Sequence, residues 1–172
     1  QGDLTAAITS YKNALQLKPN YSDAHYNLGN ALQEQGNLTA AVASYSIALQ
    51  LNQNFPDAHN NLGKTLHAKG ELTAALSHHQ RALELDPRHS NATYSIGRLE
   101  ACKGNIQESN RLFYKALELN QNNTAALFEL SKNLQNIVES QELAKKIDGV
   151  NRINLKKKDE SMLEFAAANI HH

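Results

Sequence analysis

Eight histidines and a single cysteine carry the strongest intrinsic chemistry in this 172-residue chain, yet their placement argues against catalysis. His78 and His79 are adjacent, and adjacent residues on a helix point about 100° apart, so the two cannot easily share a metal ion. Cys102 has no second cysteine to pair with. No zinc-ligand spacing, phosphate-binding glycine loop or nucleophile elbow occurs, so no catalytic residue, metal site or cofactor is expected. The chemistry that recurs is that of recognition. Asn27, Asn61 and Ser95 stand one period of 34 residues apart, as do Tyr26, Asn60, Tyr94 and Phe128, and again Asn30, Lys64, Arg98 and Lys132. A side-chain amide offers a donor and an acceptor, so a ladder of amides suits the main chain of an extended peptide. The rings add flat contact area, and the column Lys64, Arg98 and Lys132 suits an acidic or phosphorylated group.

The same period runs through residues that cannot bind anything. Gly2, Gly36, Gly70 and Gly104 are spaced by 34, and each opens a similar phrase: GDLTAAITSYKNALQLKPN, GNLTAAVASYSIALQLNQN and GELTAALSHHQRALELDPR follow the first three. Leu28-Gly29, Leu62-Gly63 and Ile96-Gly97 are large-small pairs of a first helix, in which the glycine admits a neighbouring helix at a cost of about 1 kcal/mol against alanine. Gly36, Gly70 and Gly104 suit the left-handed residue that closes this helix. Leu38, Leu72 and Ile106 open a second helix, whose packing face carries Ala41 and Ala75, then Tyr45, His79 and Phe113, then Ala48, Ala82 and Ala116. Leu51, Leu85 and Leu119 finish it, with Pro19 and Pro87 as helix stops. His79 occupies the ring position of this series and reads as a packed histidine. His25 and His59 read as half-buried fillers.

Three full repeats result, 22–55, 56–89 and 90–123. Residues 1–21 form the second helix of a truncated repeat, 124–157 a degenerate repeat, and 158–172 the start of a further helix. In the degenerate repeat Ala126, Leu127, Leu130 and Leu134 describe a first helix with Ser131 at the small position, and Val138 stands near the place of the phased glycine. Leu143, Ala144, Ile147 and Val150 fit a shifted second helix. Residues 151–158 form a basic connector ending in Lys156, Lys157 and Lys158, and Asp159 or Ser161 would cap the last helix.

A 34-residue period carrying L-G, then A-x3-aromatic, then Pro resembles the tetratricopeptide repeat family. The resemblance implies an all-α fold, a right-handed solenoid of antiparallel helix pairs, with stacked first helices lining a concave groove. It implies a non-catalytic scaffold that takes a protein or extended peptide along Tyr26, Asn27, Asn30, Asn60, Asn61, Lys64, Tyr94, Ser95, Arg98, Phe128 and Lys132. The N-L-G and N-A-L phrases with asparagine before the large-small pair resemble the superhelical arm of O-linked N-acetylglucosamine transferase, chiefly over 22–89, with Ser95 and Glu129 departing from it. The two-carboxylate clamp of chaperone-binding members does not fit, because Tyr26, Asn30, Asn61, Asn91 and Ser95 supply none of its cations. ELAKKIDG and DESMLEFAAANIHH resemble the segment that joins such repeats to a sulfotransferase domain in large bacterial proteins. That implies, as the alternative function, a substrate-recruiting arm of a sulfotransferase or glycosyltransferase. His171 and His172 also suit an affinity tag.

Composition narrows the partners. Seventeen basic residues balance seventeen acidic ones, without the basic footprint of a nucleic-acid binder. No apolar run approaches a membrane span and no charged-then-apolar leader opens the chain. The lone cysteine fits a reducing, cytoplasmic setting, and the sequons at Asn20, Asn37, Asn91 and Asn122 read as accidents of an Asn-rich chain. Helix 2–17 lacks a partner first helix, so Leu4, Ile8 and Tyr11 are expected to expose a packing face and to favour self-association.

Overall fold

The computed structural model describes residues 2–133, 137–148, 150 and 157–170. Among them are ten α-helices and no strand: α1 (Gly2–Leu17), α2 (Ser22–Glu34), α3 (Leu38–Leu51), α4 (Pro56–Ala68), α5 (Leu72–Leu85), α6 (Ser90–Cys102), α7 (Ile106–Leu119), α8 (Thr124–Lys132), α9 (Ile137–Asp148) and α10 (Lys157–Ile170). The fold class is all-α, built of helix pairs. The chain divides into two compact units, Gln1–Pro87 and Arg88–His172.

The turns from α2 to α3, α4 to α5 and α6 to α7 share one construction. In the first unit Gly36 and Gly70 lie at φ +85° and +83°, and in the second Gly104 lies at +83°. After α2, the Gly36 amide donates to the Gln33 carbonyl at 3.0 Å and the Asn37 amide to Leu32 at 2.9 Å. This is the 6→1 and 5→2 pair that closes a helix through a left-handed residue, and only glycine enters that conformation without strain. Asn37 then accepts from the Ala40 amide at 3.2 Å and caps α3.

Within the first unit, the packing of α2 on α3 and of α4 on α5 depends on the helical glycines. A Cβ on Gly29 would lie 2.6 Å from the Tyr45 ring, and one on Gly63 would lie 2.7 Å from His79. Ala41, Ala48, Ala58, Ala75 and Ala82 are fully buried. Ile8 of α1 is buried as well, at 7 % exposure, which narrows the open face expected of this helix. Leu4 and Tyr11 stay half-buried, and Leu17 is exposed.

In the second unit the Phe113 ring fills the place beside Gly97, where a Cβ would meet it at 2.8 Å. Phe113, Ala116 and Leu117 join Ala126, Leu127, Leu130, Leu143, Ile147, Val150, Leu163 and Ala166 in one core. Phe128 meets Phe165 with ring centroids 5.0 Å apart, and Asn169 donates to the Ser131 hydroxyl at 3.4 Å. Both contacts advance in the same direction along the chain, so α10 runs parallel to α8, as one first helix does to the next. Helix α10 begins at Lys157, ahead of both Asp159 and Ser161, so neither caps it as the sequence suggested. Val138 falls in the first turn of α9. Leu134, residues 151–156 of the expected connector, and His171 and His172 lie outside the described residues.

Candidate functional site

In the first unit, α2 and α4 bring the expected amides and rings together, but in a different arrangement from an open ladder. The Asn61 amide nitrogen donates to the Tyr26 hydroxyl at 3.1 Å and to Asn30 Oδ1 at 2.9 Å. Asn30 Oδ1 also accepts from the Tyr45 hydroxyl at 2.7 Å. That hydroxyl reaches Gln33 at 2.9 Å, and Gln33 accepts from Thr65 at 3.1 Å. The Tyr26 ring lies tilted against Phe55 and Tyr45, with centroids 4.7 Å and 6.0 Å away. Burial raises the Tyr26 phenol above its ordinary range, with the Asn30 and Asn61 amides pulling the other way. Burial raises Tyr45 further still. Both phenols are therefore neutral donors and acceptors at physiological pH. The Asn27 side chain is half-buried and forms no hydrogen bond among the described residues, while Lys64 is exposed.

Two of the expected groove residues belong to the seams between helices. Asn60, at 2 % exposure, accepts from His79 Nδ1 at 3.1 Å, which also confirms His79 as a packed ring. Ser95 is 3 % exposed in the second unit. A side chain this covered cannot meet a ligand without helix movement. Asn60 and Asn61 point about 100° apart on α4, so the first turns into the seam with α5 while the second stays half-buried.

In the second unit Tyr94 lies against Phe113 at 5.5 Å. Burial pushes its phenol up to about 12, with the Arg98 charge lowering it and Glu129 raising it. Arg98 is exposed. Lys132 pairs with Glu129 and sits 4.7 Å over the Phe128 ring, so its charge is already compensated on its own helix. The unit thus presents rings and one open guanidinium where a line of free cations was expected.

The sequence reading missed Gln33, Thr65 and the contact between His59 and His78. Gln33 and Thr65 stand nearly one repeat apart, which is the signal that first helices of successive repeats meet there. The two histidines are separated by 19 residues, the same offset as Asn60 and His79. Their Nδ1 atoms approach to 3.1 Å. Burial lowers both ring pKa values, and for His78 the neighbouring His59 lowers it further. An unfolded histidine titrates near 6.5, so below that pH the unfolded chain binds protons that these folded rings refuse. Stability from this pair is therefore complete above about pH 6.5 and declines as pH falls through it. Urea midpoints from pH 7.5 to 5 are expected to fall more steeply for the native protein than for His59→Gln/His78→Gln. Parallel profiles would exclude the pair as the source.

The repeat geometry and the family comparisons agree. Models described as TPR repeat match residues 1–36 and 29–70, and one described as tetratricopeptide repeat matches 56–89. The chain carries tetratricopeptide repeats. Among solved structures, MamA is 20 % identical with a TM-score of 0.68, covering 99 % of this chain and 90 % of its own. PilF of Pseudomonas aeruginosa is 20 % identical with a TM-score of 0.72, covering 98 % and 82 %. YrrB, described as a TPR protein with an unusual peptide-binding site, is 23 % identical with a TM-score of 0.60, covering 98 % and 78 %. At these identities the likeness establishes the tetratricopeptide fold. No curated protein matches in sequence. Among the described residues no helix is long and apolar enough to cross a membrane, and no group of three or more His, Cys, Asp or Glu is placed to hold a metal ion.

Proposed function

We propose that this tetratricopeptide chain is a non-catalytic scaffold that binds an extended peptide or partner segment along its first helices. The observation that carries this reading is the bonded set Tyr26, Asn30 and Asn61, which holds polar groups of successive repeats rigidly beside the half-buried Asn27. Groups held in place by their neighbours lose little freedom on binding, which favours affinity. The described peptide site of YrrB supports the class of ligand. Lys64, Tyr94, Arg98, Phe128 and Lys132 extend the proposal within their own units, with Arg98 as the cation for an acidic group. Self-association through α1 stays part of it on narrower ground, since Leu4, Tyr11 and Leu17 keep exposed surface and Ile8 does not.

Selection from a peptide library, then titration of the best binder, tests the reading. Asn61 has committed both N–H donors to Tyr26 and Asn30 and offers a peptide its Oδ1 acceptor, whereas Asn27 offers its amide. Each is expected to contribute about 0.5–1.5 kcal/mol of binding, so Asn27→Ala with Asn61→Ala weakens the peptide roughly tenfold. The two sites differ in stability. Asn27→Ala leaves the urea midpoint unchanged, whereas Asn61→Ala costs about 1 kcal/mol because two internal bonds disappear. Equal affinity of the native protein and Asn27→Ala would remove Asn27 from the site, and equal affinity of the double variant would end the amide reading.

A further inference from the structure

The histidine contact between α4 and α5 has a spacing that suits a shared proton and equally suits two ligands of one metal ion. We propose that His59 and His78 form a two-imidazole site for a late first-row divalent metal ion of the Zn2+ or Cu2+ class, completed by water. Imidazole is a favoured ligand for these ions. Metal–nitrogen bonds of about 2.0–2.1 Å meeting at roughly 90–110° place two ligand nitrogens about 2.8–3.4 Å apart. The Nδ1 atoms of His59 and His78 stand 3.1 Å apart. The ring planes are tilted by 31° with centroids at 5.3 Å, so they are not stacked face to face over that gap.

The tautomer of His59 is already set for ligation. Its Nε2 lies 3.3 Å from the Gln53 carbonyl, which can only accept, so the proton sits on Nε2 and the Nδ1 lone pair faces His78. A backbone carbonyl behind the distal nitrogen is the usual support of a metal-bound imidazole. In the metal-free protein the His78 Nδ1 proton fills the gap. On binding, the His78 proton moves from Nδ1 to Nε2 by exchange with water, so the ring stays neutral, both Nδ1 lone pairs face the metal ion and no net proton is released. Both rings are half-buried, which leaves an open side for water ligands. The charged groups acting on His59 are Arg81 and Glu84, and these pair with each other at 2.8 Å, so their fields largely cancel. The site belongs to the second repeat. One period earlier His25 keeps the equivalent carbonyl bond, to Pro19 at 2.9 Å, but Ser44 replaces the second histidine and bonds to Ala40. One period later the two positions hold Thr93 and Leu112.

The test uses the whole chain carrying Cys102→Ser, His171→Ala and His172→Ala, so that competing thiol and vicinal-histidine ligands are gone. Calorimetric titration with Zn2+ alone is expected to show one ion per chain. His59→Ala or His78→Ala should weaken binding about tenfold or more, while His25→Ala leaves it unchanged. No saturable binding, or equal affinity in all variants, overturns the site. Nitrogen NMR of the unsubstituted pair guards against misfolded variants. Zn2+ should move the Nδ1 signals of both His59 and His78, and movement confined to His67 or His89 overturns the proposal.

Discussion

Phe113→Ala is expected to destabilise the protein by about 3–5 kcal/mol, the usual cost of emptying an aromatic site in a closed core. Phe113 is 1 % exposed, fills the place beside Gly97 and lies against Tyr94. Its neighbours cannot collapse into the space, because Ala116 and Ala126 are already fully buried and Gly97 has no side chain to offer. For a chain of this length each kcal/mol moves the thermal midpoint by roughly 2–4 °C, so the expected fall is on the order of ten degrees. In stacked repeats, stability is close to a sum of local terms. Hydrogen exchange should therefore show protection lost first in α6, α7 and α8. A midpoint within a degree or two of the native value would mean that the ring is not the keystone of this core.

Ala82→Leu is the second large expectation, and it acts by the opposite mechanism. Ala82 is fully buried on α5, as Ala48 is on α3 and Ala116 on α7. The helices meet closely enough there that a methyl group fills the seam. A leucine has to push α5 away from its neighbour or adopt a strained rotamer, at about 1–3 kcal/mol. Helix propensity cannot offset this, since leucine and alanine differ little in it. Differential scanning against native protein reads the change directly. An unaltered midpoint would show that the repeat phase is misplaced, because every alanine of the series is assigned by the same register.

The repeat phase was legible because it is written in residues with no substitute. A left-handed turn admits glycine, and a close helix crossing admits glycine or alanine. Gly36, Gly70 and Gly104, the helical Gly29, Gly63 and Gly97, and the buried alanines therefore announce their places by identity alone. Helix bounds of the three full repeats and the role of His79 followed from that phase. The degenerate repeat was harder to read where its markers lapse: Ser131 replaces the helical glycine, and α10 begins at Lys157, ahead of the expected cap at Asp159 or Ser161.

The site was legible only as a list of repeat positions. Period and residue type, taken alone, placed Asn60 beside Asn61 and treated both as available, yet the first is buried against His79 and the second spends its donors on Tyr26 and Asn30. Lys132 counted as a free cation until Glu129 and Phe128 were seen beside it. His59 and His78 looked unrelated across 19 residues. By itself the sequence determined the fold class and which residues must be small, because backbone conformation and steric exclusion act at single positions. Tertiary structure alone decided which polar groups remain free for a partner, because a hydrogen bond depends on where a second helix places its own side chains to within a few tenths of an ångström.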